Sequence, residues 1–75
     1  MDKIEWLESM HTLHGKVEIL YVVDGYQIQR TYDDAEVGDP IKASTLSECI
    51  DMAIKEGWKP LTMKNIGHHY NGDKK

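Results

Sequence analysis

The chain is 75 residues long, so it has room for one domain. A domain of this size buries only about 60% of the surface its unfolded form exposes, which excludes a large ligand-enclosing core. With 40% hydrophobic and 29% charged residues the composition excludes a wholly disordered chain. The net charge of −4 is unevenly placed: residues 1–56 carry twelve acids against five Lys or Arg, and residues 57–75 carry four Lys against one Asp. An acidic body repels phosphate backbones and disfavours nonspecific nucleic-acid binding. No apolar run approaches the ~20 residues that span a bilayer. The Met1-Asp2-Lys3-Ile4 opening lacks the basic-then-apolar plan of a secretion signal, so a cytoplasmic protein away from membranes is expected.

Asp2 and Glu5 have the spacing of a capping box, which predicts a short first helix that Gly15 is available to end. Trp6, Leu7, Met10 and Leu13 share one stripe of this helix, opposite Glu5, Glu8, Ser9 and Thr12. From Lys16 the apolar period changes to two: Val17, Ile19, Tyr21 and Val23 point one way, and Glu18, Leu20 and Val22 the other. Asp24-Gly25 suits the central positions of a type I′ turn, which predicts a hairpin over Lys16–Tyr32 with Val23 facing Tyr26 and Tyr21 facing Ile28. In that hairpin the Tyr26, Ile28, Arg30 and Tyr32 face is to be covered by a helix, and the Leu20, Val22, Gln27 and Gln29 face is half polar.

Asp33 to Gly38 reads as an acidic turn or loop, and Ile41 to Ala43 as a short third strand that Pro40 confines to an edge or a beginning. Thr45-Leu46-Ser47-Glu48 is a second capping box, and Leu46, Cys49, Ile50, Ala53 and Ile54 follow a helical stripe that Gly57 stops. The expected helix runs from Leu46 to Glu56, with Asp51 and Lys55 as an outward i, i+4 pair. Trp58 is expected to fold back on its last turn, and Leu61 and Met63 to begin a final strand at Pro60. The expected fold is α+β, in the order α-β-β-(β)-α-β. An antiparallel hairpin grows to a sheet of 3–4 strands under an amphipathic helix, with one domain over residues 1–63 and a mobile tail over 64–75.

Few residues here point to chemistry. His11 and His14 lie at i, i+3 on the expected first helix and His68-His69 in the tail, but a structural zinc wants four tightly spaced N or S ligands, so no metal is expected. The lone Cys49 falls on the inward stripe of its helix and reads as core, not as a nucleophile. Asp33, Asp34, Glu36 and Asp39 lack the alternation of a calcium loop and read as solvated acids. Neither a catalytic residue nor a cofactor is expected, because no nucleophile, base and orienting group occur together.

The segment Lys55-Glu56-Gly57-Trp58-Lys59-Pro60-Leu61 resembles small bacterial and phage domains of uncharacterised function, in which a helix ends in Glu-Gly-Trp and leads into a last strand. The resemblance implies a hairpin-helix-strand order and no activity. Surplus apolar surface then supports the expectation of a noncatalytic protein-binding or regulatory module, such as a phage or bacterial inhibitor. Its partner would be another protein or a second copy. The candidate contact residues are Trp6, Met10, Leu20, Val22 and Trp58, with Asp33, Asp34, Glu36 and Asp39 as an acidic group able to imitate phosphates. The alternative is a nucleic-acid binder using Arg30, Lys42, Lys59, Lys64 and Lys74-Lys75 with the sheet face.

Overall fold

The structure, a computed structural model, describes residues 2–64. The chain from 65 to 75, with His68-His69, Lys74-Lys75 and most of the expected tail, lies outside the described residues. Helix α1 (Lys3–Ser9) leads to strands β1 (Gly15–Val22), β2 (Gly25–Tyr32) and β3 (Ala35–Ala43), and helix α2 (Leu46–Glu56) follows. The strands form one antiparallel sheet in the order β1-β2-β3. The fold is therefore α+β.

The N-cap bond that each capping-box spacing predicts forms at its helix start. Asp2 Oδ1 accepts the Glu5 N–H at 2.8 Å, and Thr45 Oγ1 accepts the Glu48 N–H at 3.1 Å, each satisfying a donor that a helix start leaves unpaired. Helix α2 occupies the expected Leu46–Glu56 span. It stops where Gly57 takes φ +83° and the Trp58 N–H turns back to the Ala53 carbonyl at 3.0 Å. Asp51 pairs not with Lys55 but with Lys3 of α1, 3.3 Å away, which ties the two helices together at the surface.

Helix α1 ends at Ser9, well short of Gly15, so His11, Leu13 and His14 follow the helix and do not ride on it. It packs on the same sheet face as α2: Trp6 and Met10 join Ile28, Ile41, Cys49, Ile50, Ala53 and Trp58 in one core. Each large apolar side chain buried there contributes roughly 1.5–3 kcal/mol. A smaller cluster of Tyr32, Val37 and Leu61 closes the other end.

Three expectations about the strands are corrected. The first hairpin turns at Val23-Asp24 and not Asp24-Gly25, because Val22 pairs with Gly25, Tyr21 with Tyr26 and Ile19 with Ile28. The slide is even, so every side chain keeps its face. Gly25 is reserved for a closer duty: its φ is +156°, and a Cβ there would stand 2.2 Å from the Ala43 carbonyl oxygen. The supposed acidic loop is instead a tight tip at Asp33-Asp34 and the start of β3. Asp33 and Asp34 have φ +50° and +69°, the left-handed values that a type I′ turn demands of both central residues. Strand β3 then runs the full width of the sheet, with a bulge: Ile28 pairs with Ile41 and Arg30 with Val37, so Gly38-Asp39-Pro40 stands opposite the single residue Gln29. Finally, Pro60 to Met63 forms no strand, and the sheet stays three-stranded among the described residues.

Candidate protein-binding edge

β1 and β3 are the two edges of the sheet, and they differ. β3 carries the Gly38-Asp39-Pro40 bulge and a proline that has no N–H to offer, both devices that discourage further pairing. β1 has neither. Val22 and Gly25 close the tip, so the pairs in phase with them, Leu20–Gln27, Glu18–Gln29 and Lys16–Thr31, are the hydrogen-bonded ones. The N–H and C=O of Val17, Ile19 and Tyr21 consequently point away from the sheet.

The start of the strand confirms this phase. The outward groups of Gly15 are taken by Thr12, whose N–H donates to the Gly15 carbonyl at 2.8 Å and whose Oγ1 accepts the Gly15 N–H at 2.8 Å. Thr12 Oγ1 in turn donates to the Leu61 carbonyl at 2.7 Å, pinning the chain that follows α2 against the end of the edge. Beyond Gly15, no hydrogen bond from outside the sheet reaches β1 among the described residues.

Side chains along this edge are apolar and open to solvent. Ile19 is 45% exposed, Leu20 41%, Tyr21 84% and Val23 98%. The cause is geometric: α2 lies over β2 and β3, and α1 is only seven residues long and reaches Val17 but not the tip. Tyr21 leans on Tyr26, with ring centroids 5.3 Å apart, and remains otherwise uncovered.

Charges flank the strip. His14 Nδ1 is 2.8 Å from Asp33 Oδ1, and the Asp33 N–H donates to the His14 carbonyl at 2.8 Å. Lys16 lies 3.5 Å from Asp34. Two of the four candidate acids are thus engaged in holding a strained tip, and Glu36 and Asp39 are exposed on β3.

Trp6 and Trp58, offered by the sequence as contact residues, are 6% and 8% exposed and lie in the core with Met10. Leu20 is on the surface, and Val22 is half-buried beside it. Ile19, Tyr21 and Val23 are the residues that sequence reasoning assigned to the covered face. The signal that could have found them is the unbroken apolar run Ile19-Leu20-Tyr21-Val22-Val23, which leaves no polar side for water.

Other reactive groups are occupied. Cys49 is a free thiol in the core, 3.4 Å from the Tyr26 carbonyl, and burial pushes its pKa up, opposite to what a nucleophile needs. Arg30 faces the helices and lies over Trp58, so it is not available on an open sheet face. Gln29 Nε2 and Thr31 Oγ1, in the middle of the second face, are buried without a hydrogen-bond partner among the described residues. No cluster of three or more His, Cys, Asp or Glu able to hold a metal occurs among the described residues. No helix among them is long and apolar enough to cross a membrane. Compared with protein-family models, with curated proteins and with solved structures, the chain matches none.

Proposed function

We propose that this chain is a small noncatalytic protein-binding module, of a regulatory or inhibitory kind, that engages its partner by strand addition along β1. One observation carries the proposal: β1 joins outward backbone groups that are unpaired among the described residues to a strip of apolar side chains, in which Ile19, Leu20, Tyr21 and Val23 are exposed. Added strands gain affinity from main-chain hydrogen bonds and specificity from side chains, and both are on offer along the same edge. The proposal takes the protein to be cytoplasmic, a setting with which the absence of a membrane-spanning helix among the described residues is compatible. A bacterial or phage setting rests on the Glu56-Gly57-Trp58 resemblance alone.

The test is affinity capture from a bacterial lysate by wild type and by Tyr21→Lys, a substitution at an exposed site that should leave the circular dichroism unchanged. A partner, or a second copy, held by wild type and released by the variant is the expected result. Retention of the same partners by both proteins, or of nothing by either, would refute the reading. A nucleic-acid reading finds Arg30 half-buried and stacked on Trp58, and Lys42, Lys59 and Lys64 remain to it among the described residues.

A further inference from the structure

We draw no further inference here: the strongest candidate, the apolar strip from Ile19 to Val23 at the β1 edge, belongs to the surface already described, and nothing in the structure shows what covers it.

Discussion

The Arg30 guanidinium lies over the indole of Trp58, 4.7 Å from the ring centroid, and joins the central strand to the residue that closes α2. Burial pulls the Arg30 pKa down, and the charge of Glu56 partly opposes this. Its Nε has no hydrogen-bond partner among the described residues, so the stem and the stacked plane contribute more than directed polar contacts do. Trp58→Ala should cost about 3–5 kcal/mol, and Arg30→Ala about 1–2 kcal/mol. Arg30→Met, which keeps the length and removes the unpartnered Nε, should cost less than Arg30→Ala. Urea midpoints of the three variants give the ranking, and a methionine variant as weak as the alanine one would show that the charge itself is needed.

At the second tip, Asp34 holds φ +69°, a conformation costing a non-glycine residue roughly 1–2 kcal/mol. Asp34→Gly turns the tip into Asp-Gly, a favoured type I′ pair. The substitution gives up the exposed contact with Lys16 at 3.5 Å, worth at most about 1 kcal/mol. A net gain of about 0.5–1 kcal/mol is expected, read as a rise of roughly 2–8 °C in the thermal midpoint. A fall in the midpoint would mean that the Lys16 contact outweighs the backbone strain.

Thr31 is 2% exposed, and its hydroxyl has no partner among the described residues. Thr31→Val keeps the shape and β-branching and removes a polar atom with nothing to bond. The variant should unfold at higher urea, by about 1 kcal/mol. An unchanged or lower midpoint would reveal that the hydroxyl is hydrogen-bonded in solution.

Ser44 Oγ donates to Glu48 Oε1 at 2.6 Å, and this bond, aided by the helix cap, holds the Glu48 carboxyl below its ordinary range. A group whose folded pKa is depressed stabilises the fold above its unfolded pKa, and that contribution is lost as pH falls through the folded value. Ser44→Ala should therefore lower the thermal midpoint at neutral pH, and the gap from wild type should close as pH drops below the carboxylate range. An equal gap at neutral and strongly acid pH would assign the loss to something other than ionised Glu48.

Helix α2 was legible to the residue because its signals are local: a capping box at one end, a glycine at the other and an unbroken stripe between. The faces of the hairpin were legible for the same reason, since a period of two needs no partner to be seen. Its turn was not, because the demand on Gly25 comes from the Ala43 backbone eighteen positions away, and no local propensity encodes that contact. Strand β3 was hidden by its own bulge: Gly38, Asp39 and Pro40 look like a loop until a neighbouring strand shows them spliced into a ladder. The exposed edge was half legible. Leu20 and Val22 were singled out, but the exposure of Ile19, Tyr21 and Val23 depends on how far α1 and α2 reach, and helix reach is a tertiary quantity.

The kink that Gly38-Asp39-Pro40 puts into β3 also governs what a population of these molecules can build. A ribbon sticky along both borders recruits neighbours without end and grows into fibres. Here one border is blunt, so among the described residues a strand added on the opposite side would leave no equally open border for the next. Among the described residues, the kink thus confines the greasy rim to one border of the sheet.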